Sequence, residues 1–383
     1  MKPKKIAILY ASFGNGHKAT ANAIKNKLEK YGDIEIDLLD YFEYFNKTIN
    51  SISINFYKNI GNMPESIYSK MYNSTSNESF FSNVIPHILK LTGIRLIKYL
   101  KQFNPDIVIC THPFATQACA YLKKKKKFNF LLANILTDFE IHRLWYDSPE
   151  FIDLFFVSTE DMKKNLIEVG AAKEDQVFVT GIPVREEFSK TYNKDEIYDH
   201  FKLDKNKKTI TFFCGGGQGI FYKNVIDFLK IAIEKFKNEN LIIISGKNDD
   251  AIKKIDKIIK ENNCGENVKL FSFISEIPEL MYISDFIISK PGGLTTSEAL
   301  ATGTPILIIA PIPGQEIANT KYLEKYNAGI FLNNAEKAKS VFDQILNDST
   351  DILQNLSLNS KKIGHPNATQ EIIDIILNHY DNN

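Results

Sequence analysis

Ser289-Lys290-Pro291-Gly292-Gly293-Leu294-Thr295-Thr296-Ser297-Glu298-Ala299-Leu300 is the stretch on which the reading of the fold turns. The apolar run Asp285-Phe286-Ile287-Ile288 precedes it and reads as the end of a buried strand. A strand that ends in Gly-Gly and turns directly into a helix leaves unpaired backbone N–H groups at the helix start. Those groups and the helix dipole together attract anions. Gly292 and Gly293 are therefore candidates for a phosphate cradle, and Thr295 adds a hydroxyl on the first turn. Glu298 falls one turn further in, placed to accept hydrogen bonds from a diol such as a ribose. A second strand, Pro305 to Ile309, runs into Ala310-Pro311-Ile312-Pro313-Gly314, and Gln315, Glu316 and Asn319 follow on the next expected helix. Their amide and carboxylate groups suit sugar hydroxyls. Strand–Gly-Gly–helix is also an ordinary tight turn; the specific signal is the combination.

The same unit recurs on either side. Lys208 to Cys214 reads as a strand that opens into Gly215-Gly216-Gly217-Gln218-Gly219, a loop whose N–H groups can approach a phosphate closely. The strand Leu241 to Ser245 ends at Gly246-Lys247, where Lys247 is either a point charge for a diphosphate or a plain turn lysine. A further strand ends at Phe273. Near the start, Ile6 to Ala11 is a buried strand, Ser12-Phe13-Gly14-Asn15-Gly16-His17 a glycine turn, and Lys18 to Tyr31 a helix. Gly14 and Gly16 alone are a weak nucleotide signal, and His17 reads either as a surface cap or as a functional group. The strand from Asn129 to Thr137 leads into Asp138 and His142, titratable groups at the carboxyl edge where open α/β sheets bind ligands. A loop that merely caps the strand is the other reading of that pair. Repeated strand–helix units, each opened by a glycine loop, predict an α/β protein with two doubly wound Rossmann-like domains. The best linker follows Gly181, which gives domains 1–181 and 182–366, with a final helix from Asn367.

At 383 residues, two domains are the expectation, and a hydrophobic content of 44% is enough for real cores. A net charge of +1 makes no case for nucleic acid. That total hides a basic block: residues 44–127 carry twelve Lys/Arg against three acids, a net of +9, which leaves −8 elsewhere. Lys123, Lys124, Lys125, Lys126 and Lys127 are consecutive. Ten aromatics (Tyr41, Phe42, Tyr44, Phe45, Phe56, Tyr57, Tyr68, Tyr72, Phe80 and Phe81) fall in 41 residues of the same half. Aromatics beside lysines suit the headgroup layer of an anionic membrane, or else pack inward as a helical cap. The cysteines Cys110, Cys119, Cys214 and Cys264 form no metal-ligand spacing and fit a reduced cytoplasmic protein. The N-terminus reads as a first strand, and no run approaches the ~20 apolar residues that span a bilayer.

KPGGLTTSEALATGTP and PIPGQEIAN resemble the donor-nucleotide region of glycosyltransferase family 28, and its lipid-glycosylating branch in particular. Thr137-Asp138-Phe139, His142 and Trp145 look like the same branch, which includes the diacylglycerol glycosyltransferases. The resemblance covers nearly the whole chain. It implies the GT-B architecture, two such domains facing across a cleft, with the last helix (367–383) crossing back to the first. It implies inverting transfer of a hexose from a UDP-sugar to diacylglycerol, with glucose favoured over galactose and the number of sugars open. A glycine-rich loop ending in His lies at the position of His17 in that family, in acceptor and catalytic work. His17 is then the first choice for the general base and Asp138 the second. Gly215, Gly216, Gly217, Lys247, Gly292, Gly293 and Thr295 would take the leaving diphosphate. Glu298 would hold the ribose, the backbone at Phe273 the uracil, and Gln315, Glu316 and Asn319 the hexose. No Asp-x-Asp pair is present, in keeping with a metal-independent, cofactor-free reaction.

The expected location is the inner face of the cell membrane, reached from the cytoplasm through the five lysines. Two rivals share the architecture. A UDP-sugar 2-epimerase needs no lipid surface, and a non-catalytic nucleotide-sugar sensor needs no His17. An oxidoreductase would want a complete Gly-x-Gly-x-x-Gly with a ribose acid at its usual distance, and the chain has none.

Overall fold

The computed structural model describes residues 3–12, 15–45, 85–215, 223–347 and 350–382. Gly14, Gly216, Gly217 and the aromatics Phe56, Tyr57, Tyr68, Tyr72, Phe80 and Phe81 lie outside them. The chain divides into two units, Met1–Glu186 with Asn367–Asn383, and Glu187–Pro366.

The first unit is built on six parallel strands: β1 (Lys4–Tyr10), β2 (Ile34–Asp40), β3 (Ile107–Cys110), β4 (Leu131–Ile135), β5 (Leu154–Val157) and β6 (Val177–Val179). Their order is β2-β1-β3-β4-β5-β6. Central strands covered on both faces must be apolar at every position. Accordingly β1 alternates between two cores. Ile6, Ile8 and Tyr10 pack with Ile24, Leu28 and the C-terminal Ile372, Ile373 and Ile376. Ala7 and Leu9 pack on the other face with Leu96, Leu100, Cys119 and Leu122. An Ile8→Ala change would remove about 2–5 kcal/mol, the range for a large-to-small change in a closed core. The helix Ala368–Asn382 thus completes one face of this unit, and Thr369 ties it down by donating from its hydroxyl to the Val184 carbonyl.

The second unit repeats the plan with β7 (Thr209–Phe213), β8 (Asn240–Ile244), β9 (Val268–Phe271), β10 (Phe286–Ser289), β11 (Ile306–Ile308) and β12 (Gly329–Phe331), all parallel. Their order is β12-β11-β10-β7-β8-β9. Ile242 and Ile244 pack with Ile197, Phe201, Leu280 and Ile283 in one of its cores. The ring of Phe236 meets Phe286 at 5.6 Å and Phe342 at 4.8 Å.

Each sheet has one place where successive connections leave in opposite directions. In the first it falls between β1 and β3, and in the second between β7 and β10. Such a switch point leaves a crevice beyond the carboxyl ends of the strands, the standard ligand position in open α/β sheets.

Candidate active site

His17 stands at the first switch point. The turn after β1 enters the helix Asn15–Leu28, which puts His17 on its first turn. β3 ends at Cys110, so Thr111 and His112 leave the neighbouring strand at the same edge. His17 Nδ1 lies 2.6 Å from the Thr111 carbonyl oxygen, and the Thr111 hydroxyl donates back to the His17 carbonyl at 3.0 Å. A carbonyl can only accept, so Nδ1 carries the proton and Nε2 keeps its lone pair. Thr137, just beyond β4, places its hydroxyl 3.0 Å from the same Nδ1. The imidazole is therefore held from behind by a carbonyl and a hydroxyl. Burial pushes its pKa down to about 4, and the Thr111 carbonyl opposes that only in part. His17 is neutral at pH 7, the state a proton acceptor needs.

The loop after β4 is braced from below. Asn134 on β4 donates to the Trp145 carbonyl at 2.9 Å and accepts from the Thr116 hydroxyl at 2.8 Å. Gln117 donates to the Leu144 carbonyl at 3.1 Å and accepts from the Ser148 N–H at 3.2 Å. Trp145 is fully buried, and its ring lies 6.3 Å from that of His17. Asp138 follows Thr137 directly and is buried, with its carbonyl accepting from the Ser158 hydroxyl. His142 is used locally: Nδ1 accepts the Leu144 N–H at 3.2 Å and caps the short helix Arg143–Trp145. His112 likewise caps the helix Pro113–Lys124 through Nδ1, and its ring meets His17 edge-on at 4.6 Å. Burial and the neighbouring His17 hold the His112 pKa well below the ordinary imidazole range.

In the second unit the glycine loops fall at the other switch point. Gly215 follows β7, and Pro291, Gly292 and Gly293 follow β10, its sheet neighbour. Three helices of this unit start on an asparagine cap: Asn193, Asn248 and Asn334 each accept a backbone N–H of the first turn. Gly293–Thr302 and Gln315–Lys325 instead start on Gly292 and Gly314 with no side-chain cap. Gly314 has φ 87° and ψ −121°, a combination that only glycine adopts without strain. Neither start is capped by a side chain of its N-cap residue, the arrangement that suits an anion at the helix start. Thr296 Oγ1, one turn in from Gly292, is buried and has no partner among the described residues. Thr295 and Glu298 are half-buried on the same helix.

Asn319 is buried and donates to the Pro291 carbonyl at 2.8 Å, so it shapes the glycine loop and is not set out as a sugar reader. Glu316 accepts from Lys290 at 3.1 Å and from the Ile312 N–H at 2.7 Å. The Lys247 ammonium lies over the exposed ring of Phe273, 4.7 Å from its centroid. It is therefore engaged with an aromatic face in this state. Gln315 opens its helix and is half-buried.

The lysine run divides between the fold and the solvent. Lys123 and Lys124 are the last turn of the helix Pro113–Lys124, and only Lys124 to Lys127 face solvent. Lys123 is ion-paired with Asp153, and Lys124 lies 3.6 Å from Glu150 and over the ring of Phe151. The run precedes β4, at the amino edge of the sheet, whereas His17, Thr111 and Thr137 follow strand carboxyl ends. Roughly 15 Å of sheet separates the two edges, at about 3.3 Å per strand residue. The run therefore does not adjoin the candidate base.

Sequence reading missed Thr111, Thr137 and Lys290. Thr137 and Lys290 sit beside residues that were singled out. Their signal was position at a strand's carboxyl end, overshadowed by the more reactive neighbour. Among the described residues, no group of three His, Cys, Asp or Glu side chains is gathered as a metal would require.

Residues 17–184 match the family model of monogalactosyldiacylglycerol (MGDG) synthase, and residues 209–374 that of the glycosyltransferase family 28 C-terminal domain. The chain is similar to a processive diacylglycerol beta-glucosyltransferase of Bacillus cereus, at 31% identity over 98% of this chain and 94% of that one. A protein of the same name from Bacillus thuringiensis is 30% identical over 100% and 96% of the two chains. Among solved structures, UDP-GlcNAc 2-epimerase from Neisseria meningitidis superposes with a TM-score of 0.64 at 19% identity, covering 98% and 100%. MurG of Acinetobacter baumannii superposes with a TM-score of 0.63 at 15% identity, with the same coverage. At those identities the two structures establish the fold, the paired Rossmann-like units of GT-B proteins.

Proposed function

This chain belongs to glycosyltransferase family 28, in the branch that glycosylates diacylglycerol, and on that premise we propose an inverting transfer of a hexose from a UDP-sugar to diacylglycerol. Glucose is favoured over galactose, following the names of the full-length relatives. The observation that carries the reading is the state of His17: a neutral imidazole whose Nδ1–H is engaged, which leaves the lone pair on Nε2. A sensor of nucleotide sugars has no use for such a group.

The reaction balances on these residues. The acceptor hydroxyl oxygen attacks the anomeric carbon from the face opposite the nucleotide. Its proton passes to His17 Nε2 as the new C–O bond forms. The bond from the anomeric carbon to the diphosphate oxygen breaks, and UDP leaves with the electron pair. An α-linked donor thereby gives a β-glycoside. We place the growing diphosphate charge on the N–H groups of the helix starts at Gly292 and Gly314, with the Gly215–Gly217 loop and Thr295 alongside. Glu298 takes the ribose, and Gln315 and Glu316 face the hexose. Asp138, next to Thr137, is the second candidate for the base. No metal ion or other cofactor has a part in this scheme, so activity that survives EDTA is one check.

The acceptor implies a membrane. Among the described residues no helix is long and apolar enough to cross one. Peripheral association at the inner face of the cell membrane, from the cytoplasm, is the arrangement proposed. Lys124 to Lys127 supply long-range attraction to anionic lipid, while acceptor delivery belongs to the edge that carries His17. Incubation with labelled UDP-glucose and diacylglycerol liposomes tests the assignment. Label in the lipid fraction supports it; label recovered only as an isomerised sugar nucleotide supports the epimerase.

A further inference from the structure

Lys290 follows Ser289, the last residue of β10, and stands directly before the Pro291-Gly292-Gly293 loop. Its side chain is 12% exposed and that of its partner Glu316 15%, which makes this a withdrawn pair and not a surface one. The ammonium lies 3.1 Å from Glu316 Oε1 and 3.4 Å from Oε2. Oε2 also accepts the Ile312 N–H at 2.7 Å. Oε1 faces the glycine loop, since a Cβ added at Gly292 would find it as its nearest neighbour, at 4.0 Å. A carboxylate in that position is withdrawn from water and would stand beside an arriving diphosphate. The lysine ammonium spans both oxygens and so fixes the plane of the carboxylate.

We propose that Lys290 is a positioning residue for hexose selection: it fixes the plane and direction of the Glu316 carboxylate, so that Glu316 reads sugar hydroxyls as an acceptor set at one angle. The inference rests on the placement of Glu316 against the hexose given above. Among the described residues, Lys290 and Ile312 N–H occupy three of the roughly four lone-pair sites of the carboxylate, which leaves one on Oε1 for a sugar hydroxyl. A hydroxyl that meets this acceptor in glucose and misses it in the C4 epimer, or the reverse, is discriminated by that single direction.

The test compares wild type, Lys290→Met, Lys290→Arg, Glu316→Gln and the double variant Lys290→Met/Glu316→Gln. Each is measured for UDP affinity, for KM and kcat with UDP-glucose and UDP-galactose, and for its thermal unfolding midpoint. Lys290→Met is expected to raise KM for the preferred donor about 10–100-fold, the scale of a lost charge-assisted hydrogen bond. It should narrow the glucose–galactose ratio and leave free UDP affinity within about twofold. Lys290→Arg should recover most of the loss. In the Glu316→Gln background, Lys290→Met should add little, because there is no charge left to hold. The double variant also buries no orphan carboxylate, so it reports even if the single variant fails to fold. Independent, additive losses in the double would overturn the proposal, as would a fall in UDP affinity equal to the rise in KM. Wild-type selectivity in Glu316→Gln would instead overturn the placement of Glu316 itself. Altered selectivity there with none in Lys290→Met would overturn the role of Lys290 alone.

Discussion

His17 and Thr111 are joined across the switch point of the first sheet by two reciprocal hydrogen bonds, ring Nδ1 to carbonyl at 2.6 Å and hydroxyl to carbonyl at 3.0 Å. No carboxylate accepts from Nδ1 in those contacts. The imidazolium formed during transfer is therefore stabilised at Nδ1 by dipoles, the Thr111 carbonyl and the Thr137 hydroxyl. Such a base is easily kept neutral. It returns its proton readily once the product departs.

His17→Gln should lower kcat by about 10²–10⁴, the usual contribution of a general base. UDP affinity should stay near wild type, because the donor residues belong to the other unit. Calorimetry with UDP beside steady-state kinetics separates the two effects. Near-native turnover would pass the base role to Asp138.

The acid limb of the kcat/KM profile should lie well under the ordinary imidazole value of 6.5, displaced toward 4 by the burial of His17. The same shift makes a stability statement. The folded state binds the proton less readily than the unfolded chain does. Stability from this group is complete above 6.5 and is lost as pH falls toward 4. His112 acts in the same direction. At pH 5, His17 alone should account for a loss on the order of 2 kcal/mol, at 1.36 kcal/mol per pH unit. Urea midpoints at pH 7 and 5 check this. His17→Gln should show a smaller drop than wild type.

Glu298→Ala should weaken UDP binding by about 1–3 kcal/mol, the cost of losing a hydrogen bond to a charged group. Asn319→Ala should behave differently from a sugar-reading residue. It frees the buried Pro291 carbonyl, so UDP affinity and thermal stability should fall together. Calorimetry with UDP and a melting curve distinguish the two cases; unchanged UDP affinity in the Glu298 variant removes it from the ribose.

Replacing Lys125, Lys126 and Lys127 with Gln should weaken sedimentation with anionic liposomes at low salt, by about 1 kcal/mol per residue near the surface. The difference should vanish in high salt, as the Debye length drops below its ~8 Å at physiological strength. UDP affinity should not move. Lys123 is left in place because its pairing with Asp153 belongs to the fold. Equal liposome binding by the variant at every salt concentration would make the run a solvated turn.

The alternation of glycine loops with short apolar strands was enough to read two doubly wound units from the chain. Parallel strands buried on both faces leave that signature with little ambiguity. His17 and Gly292 were legible because each interrupts a strong pattern at a strand's carboxyl end. Pairings across strands were not. Thr111 and Thr137 are ordinary residues until β1, β3 and β4 are set side by side, 94 and 120 positions of chain separating them from His17. The same holds for Asn319, whose inward turn depends on a carbonyl 28 residues earlier. The place of the lysine run in the sheet was not legible either, because composition carries no direction. Only the strand order shows that it lies at the amino edge of the sheet.

The central claim, inverting transfer to diacylglycerol, is tested most directly by the product itself. Purified protein is incubated with α-linked UDP-glucose and diacylglycerol liposomes, and the glycolipid is isolated for proton NMR of its anomeric centre. The account predicts a glucosyl diacylglycerol with the large diaxial coupling of a β-linkage. An α-linked glycolipid, or no lipid product beside an isomerised sugar nucleotide, would contradict it.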